Sequence, residues 1–336
     1  MAKLFRRKEV ETASMDAAEN AIANKEVEGL SQRQIVFKRF IHHRAAMIAL
    51  FSLFFITLIV YTSLDFKFGP WKIHGWWKYK VTDIPELRYK ECPGQVIGCP
   101  TLKLFPPSLG EHPFGQDDIG RDYLALVMRG AQRSLMVAFV IGILGGVIGT
   151  IVGAISGFYR GVVDSVLMRF VDFVITVPAI IIGSVIGYRY GNLGAGFLAI
   201  YLGLFSWTGL SRLVRGEFLK LREMEFVDAA RVAGASNRRI IFKHILPNAV
   251  GIIIVSVTLL MSSAILLETA LSYIGFGVVA PDVSLGLLIS TYQDSFTSRP
   301  FLFWWPGFFI ISIALSINFI GDGLRDAFDP RQRRRV

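Results

Sequence analysis

Charge is scarce in this chain. Only 18% of its 336 residues are Asp, Glu, Lys or Arg, against 53% hydrophobic. A soluble domain carries nearer a quarter charged residues, so a soluble globular protein and a disordered chain are both excluded. Cysteine is scarcer still: two residues cannot frame a disulfide-built secreted fold. Histidine numbers five, and none has a partner at metal-ligand spacing. His42 and His43 read as interfacial, and His74 and His112 fall in a long loop. No Gly-Lys dipeptide occurs, so there is no phosphate loop of the Walker type. A Gly-x-Gly-x-x-Gly turn after a strand, His-Glu-x-x-His and Gly-x-Ser-x-Gly are missing as well. The chain is therefore expected to have no catalytic residue, no metal site and no cofactor of its own.

What is present is apolar sequence in long runs, with a mean hydropathy of +0.49. Six runs are about long enough to cross some 30 Å of hydrocarbon as helices: 45–64, 134–157, 170–187, 193–210, 249–273 and 301–321. Only Asp172 and Glu268 carry charge inside them. Backbone groups in lipid must be satisfied within the segment, so the expected fold is an all-α membrane protein with six transmembrane helices.

The net charge of +10 fits a membrane protein whose basic residues gather in cytoplasmic loops, and nucleic acid is not an expected partner. With the N-terminus inside, segments 1–44, 158–169, 211–248 and 322–336 hold 24 of the 36 Lys and Arg. Ten of the remaining twelve sit in one long outer loop, where charge orients weakly. Both termini are thus expected in the cytoplasm. The implied organisation is an N-terminal tail over 1–44, a first span over 45–64, an outer loop over 65–133, a core of five spans over 134–321 and a tail over 322–336. Residues 1–30 lack periodicity. Val36 with Phe40 and Phe37 with Ile41, set among basic residues, predict an interfacial helix over 31–44 against membrane lipid. In the outer loop, Cys92 and Cys99 bracket a Pro- and Gly-containing stretch outside the cell, where disulfides persist. They are expected to pair, the alternative being two free thiols.

Inside the spans, Gly145, Gly149, Gly153 and Gly157 recur every fourth residue, a small-residue face that lets helix backbones meet. Pro178 predicts a kink in span three. Asp172 is expected to pair with Arg169 or Arg160. Glu268 either faces a transport pathway or braces Ser272 or a backbone.

The inner loop over 211–248 carries the most information. Phe226, Ala230 and Ala233 predict one apolar face of a short helix. Arg222, Glu225, Asp228 and Arg231 predict a charged strip. Gly234 suits the position just past a helix end, Ser236 a cap on the next helix, and Pro247 a break before span five. From these residues alone the helix either docks a partner or lies on the bilayer.

This spacing resembles the EAA signature of permease subunits of bacterial ABC importers, Glu-Ala-Ala-x3-Gly-x9-Ile-x-Leu-Pro. The matching positions are Asp228-Ala229-Ala230, Gly234 and Leu246-Pro247, with Asp228 in place of Glu and His244 in place of Ile. Phe114 to Asp122 resembles the FGTDxxGRD run of the C-type subunit in the peptide and nickel branch, with Gln116 for Thr. Glu268 to Gly277 and Asn318 to Pro330 resemble two further runs of that branch, and Val27 to Ser31 and Phe40 to Ala46 resemble the start of oligopeptide permeases. The resemblance covers roughly 27 to 332, without the loop around the cysteines. It implies a type I importer permease fold in a bacterial cell membrane and import of peptides, with nickel chelates as the alternative cargo. A second, B-type permease subunit, two cytoplasmic ATPases that bind ATP and Mg, and an extracytoplasmic binding protein would be partners. Phe226, Asp228, Ala229, Ala230, Gly234, Leu246 and Pro247 would form the joint with the ATPase. A self-sufficient secondary transporter would instead show internal repeats and several ionisable groups at the membrane midplane, and neither is seen.

Overall fold

The computed structural model describes residues 32–68, 71–87, 97–103 and 108–328. The order is α1 (Gln32–His42), α2 (Arg44–Ser63), a small antiparallel hairpin of β1 (Phe66–Phe68) and β2 (Trp71–Ile73), α3 (Tyr123–Tyr159), α4 (Gly161–Thr176), α5 (Ala179–Tyr190), α6 (Ala195–Gly203), α7 (Thr208–Arg222), α8 (Glu225–Val232), α9 (Asn237–Arg239), α10 (Leu246–Tyr273), α11 (Leu285–Tyr292) and α12 (Phe301–Phe328). Among the described residues, five helical segments are long and apolar enough to cross a membrane. They are α2, α3, Ala195–Arg222, Asn237–Tyr273 and α12. The pair α4 and α5, bent by 68° at the Val177–Pro178 break, makes a sixth if counted as one span. The bend falls where Pro178 withholds a backbone donor.

The predicted helix over 31–44 is found as α1, and His43 separates it from α2 by accepting from the Ala46 amide. The 37-residue α3 is the central element, packed on α7, α10 and α6, while α12 lies against α2 and α10. α3 begins at Tyr123, eleven residues before the hydropathy of span two rises. Arg129, Gln132 and Arg133 lower the apolar score of these turns, yet each is satisfied. Gln132 donates to the Val60 carbonyl at 2.8 Å, and Arg133 pairs with Asp282 at 2.9 Å. α3 therefore starts inside the segment read as the outer loop.

The glycine row is where backbones meet. A Cβ at Gly149 would stand 2.9 Å from the Trp207 carbonyl oxygen, and one at Gly153 2.5 Å from that of Ser211. At Gly157 it would stand 2.8 Å from that of Arg215. Gly145 meets Leu260 on α10 instead, at 2.7 Å. A four-residue spacing advances some 40° per step on a 3.6-residue helix, so the row rotates from α10 onto α7.

The segment Phe114–Asp122 latches the start of α3 to α11 and α12. Asp122 is fully buried and caps α3 by accepting from the Ala125 amide at 2.8 Å, while Trp77 Nε1 donates to it at 2.9 Å. His112, in the long loop, is also buried, 2.7 Å from the other Asp122 oxygen. Asp117 accepts from Arg121 Nε at 2.6 Å and from the Tyr292 hydroxyl at 3.0 Å. Burial pushes the Tyr292 hydroxyl above its usual range, which keeps its proton in place to donate. Gln116, where the resembling motif has Thr, spans the turn by donating to the carbonyls of Glu86 at 3.0 Å and Gly120 at 3.1 Å. Asp122→Ala removes a cap and strands two donors, the buried His112 and the half-buried Trp77. We expect a loss of about 3 kcal/mol, read as a lower melting temperature of the detergent-solubilised chain. An unchanged melting temperature would show that the latch is dispensable.

Candidate coupling helix

α7 runs out at Arg222, and the turn Glu223–Met224 starts α8. Glu225 and Asp228 lie in the first turn of α8, where negative charge opposes the partial positive charge of the helix N-terminus. α8 stops in the manner the residues dictate. The Gly234 amide donates to the Arg231 carbonyl at 2.9 Å and the Ala235 amide to that of Ala230 at 3.0 Å. This pairing needs positive φ at its centre, and Gly234 supplies φ +78°. No heavy atom lies within 4 Å of a Cβ built there, so the requirement is one of backbone conformation alone. The Ser236 hydroxyl then caps α9, accepting from the Arg239 amide at 3.4 Å.

Pro247 does not break the chain before span five. Helix runs without interruption over Asn237–Tyr273, with a π-turn at Ile240–Ile245 and Pro247 in the first turn of α10. The Leu246 amide reaches back five residues to the Ile241 carbonyl. This wider turn precedes a residue that has no amide to donate, so the helix continues past it.

The apolar face also differs from expectation. α8 sits on Val227, which is fully buried against a cluster that includes Phe218, Leu221, Ile240 and Ile245, with Ala230, Ala235 and Leu246 packed at its edge. Phe226 and Ala233 are turned outward and do not share the face of Ala230. The reason is the isoleucine run of the π-turn, which draws the i, i+3 pair Val227 and Ala230 inward. The outer face is itself apolar. Phe226, Ala229, Val232 and Ala233 are exposed, Val232 by 91%, and Phe242 beyond the turn is exposed by 67%. Asp228 is exposed and pairs with Arg231 at 3.0 Å. Val227 and Val232 lie off the Phe226-centred stripe that the spacing predicts, Val227 on the buried side and Val232 on the exposed one.

The charged strip is split. Arg222 turns away from α8 and donates to the Phe158 carbonyl with its guanidinium over the Phe158 ring. Arg160, just past the end of α3, pairs with Glu223 at 2.6 Å. The turn that launches α8 is thereby clasped to the end of α3.

The remaining candidates lie elsewhere. Glu268 is fully buried, accepting from Ser134 at 2.9 Å and Ser272 at 2.8 Å, so it braces α10 against α3. Asp172 pairs with neither Arg169 nor Arg160 but with Arg212 on α7, at 2.5 Å. That partner lies forty residues away, beyond the reach of local spacing. Cys99 is disulfide-bonded, and Cys92 lies outside the described residues. Among the described residues, no group of three or more His, Cys, Asp or Glu is placed to hold a metal ion.

A bundle of membrane-length helices, with one short helix left apolar and uncovered at its end, defines an integral membrane protein. The chain belongs to the family of binding-protein-dependent transport system inner membrane components, whose description matches residues 149–334, and it is a multi-pass inner-membrane protein. It is 37% identical over 319 residues to the oligopeptide transport system permease protein OppC of Escherichia coli K12, covering 95% of this chain and 97% of that one. It is 36% identical over 304 residues to OppC of Mycobacterium tuberculosis H37Rv, covering 90% and 96%. A solved chain of the MetNI methionine ABC transporter, in an inward-facing conformation, matches with a TM-score of 0.51 and 20% identity over 61% of this chain and 96% of that chain. That likeness establishes the shared fold.

Proposed function

We propose that the chain is one of two transmembrane subunits of an ATP-driven importer of peptides, forming half of the translocation pathway. The supporting observation is the uncovered apolar face of α8, formed by Phe226, Ala229, Val232 and Ala233 on a buried Val227 anchor. Exposed apolar surface rimmed by charge marks a protein interface. A cleft of a cytoplasmic ATPase would grip this face, with Asp228 supplying polar contact and Gly234 setting the turn. The relatives named OppC support oligopeptides as the cargo.

ATP and Mg would be bound on the two ATPase subunits and not on this chain. A B-type permease would complete the pathway, and an external binding protein would deliver the peptide. The Lys and Arg bias supports cytoplasmic termini, which would put α8 on the ATPase side. Rigid-body movement of α8 with the ATPase pair would then alternate the pathway between inward- and outward-open forms.

Placing carboxylates on the gripped face tests this. Phe226→Asp combined with Val232→Asp should leave membrane insertion intact but reduce ATPase recovered with the purified complex by about tenfold, the scale of a lost apolar hot spot. Full ATPase recovery would overturn the assignment of α8.

A further inference from the structure

Two ionised side chains meet between α4 and α7, one turn before the Thr176 end of α4 and one turn after the Thr208 start of α7. Asp172 lies eleven residues beyond Gly161, where α4 starts, and Arg212 lies ten residues before the end of α7. By hydropathy Asp172 lies at the inner edge of the span over 170–187 and Arg212 just past the span over 193–210, so the pair marks the inner mouth of the bundle. They are 2.5 Å apart, yet Asp172 is 56% exposed and Arg212 48%. An ionised group at the edge of a span turns toward a bundle interior or water rather than lipid. A polar cavity of about 280 Å³ opens beside them, lined by Asp164, Ser165, Met168, Arg169, Asp172 and Arg215. The other side of α4, with Val162, Val166, Phe170 and Phe173, is exposed and apolar, so the polar groove is a distinct face. The α4–α5 break lies only a few residues past Asp172, and interrupted membrane helices accompany solute sites.

The charges do not cancel. Asp164 is held by both Nε and Nη2 of Arg215 at 2.6 Å, and Asp172 is held by Arg212. Arg169 makes no ion pair among the described residues. A guanidinium with free donors suits a carboxylate, which it can bind through two parallel hydrogen bonds.

We propose that this groove is a water-filled stretch of the translocation pathway and that Arg169 receives the free carboxylate of a passing peptide beside the Asp172–Arg212 pair. The inference rests on the peptide-importer reading above. Two measurements on the complete complex in inside-out vesicles test it. A membrane-impermeant thiol reagent should label Ser165→Cys at least several-fold faster than Val166→Cys, with wild-type vesicles as the blank. Uptake of a tripeptide relative to its C-terminal amide, measured in proteoliposomes with the binding protein, should fall about tenfold in Arg169→Gln, the scale of one lost charge-assisted contact, and be partly restored in Arg169→Lys. Equal labelling of the two cysteine variants overturns the groove as an aqueous path. An unmoved acid-to-amide ratio in Arg169→Gln overturns the carboxylate contact. Wild-type vesicles that import neither peptide would instead sink the peptide reading itself.

Discussion

Gly234→Pro should abolish peptide uptake by the reconstituted complex while the chain still inserts and purifies. Proline fixes φ near −65°, whereas position 234 holds +78°. It also removes the amide that bonds the Arg231 carbonyl. The turn between α8 and α9 cannot then close, at a local cost of about 3 kcal/mol, and α8 loses its angle to the bundle. Gly234→Asn is the informative companion, because Asn tolerates positive φ and nothing lies within 4 Å to obstruct a side chain. We expect the Asn variant to keep most of its uptake. Normal transport by the Pro variant would remove α8 from the mechanism.

The second large effect lies within the bundle. Gly153→Leu would bring a Cβ to 2.5 Å from the Ser211 carbonyl oxygen, 2.7 Å from Val214 Cβ and 3.0 Å from the Arg215 amide nitrogen. Two of these are backbone atoms of α7 and cannot rotate away. The helices must part, at a cost of about 3 kcal/mol or more. The expected readout is loss of the monodisperse peak in detergent chromatography and a lower melting temperature. Gly216→Ala on α7 is the control, since no atom lies within 4 Å of its Cβ. That change should be neutral or stabilising by about 0.5–1 kcal/mol. A well-behaved Gly153→Leu protein would mean that α3 and α7 do not share this contact in the membrane.

Hydropathy located five membrane-length helical segments because each carries a long apolar run, and the bent α4–α5 pair makes a sixth if counted as one span. The bend at Pro178 and the turn at Gly234 were readable because proline and glycine act through their own backbone. The start of α3 was not readable, since Arg129, Gln132 and Arg133 look like loop residues until Val60 and Asp282 are seen beside them. Pro247 misled for a related reason: the π-turn that accommodates it has no signature in composition. The buried side of α8 depends on where the isoleucines of the next turn point, and the Asp172–Arg212 pair on how α4 lies across α7. Both are tertiary facts. Gly145 to Gly157 showed that backbones would meet but not that two different neighbours share the row.

At its 37 residues, α3 is a rod of about 55 Å. One tip is clasped by Arg222 and Glu223 beside α8, and the opposite tip is nailed down through Asp122 and Tyr123. A shaft held at both extremities has little slack to absorb a nudge. A displacement of a few ångströms at Val232 should therefore arrive at the far side of the bilayer as tilt, carried by one continuous piece of secondary structure.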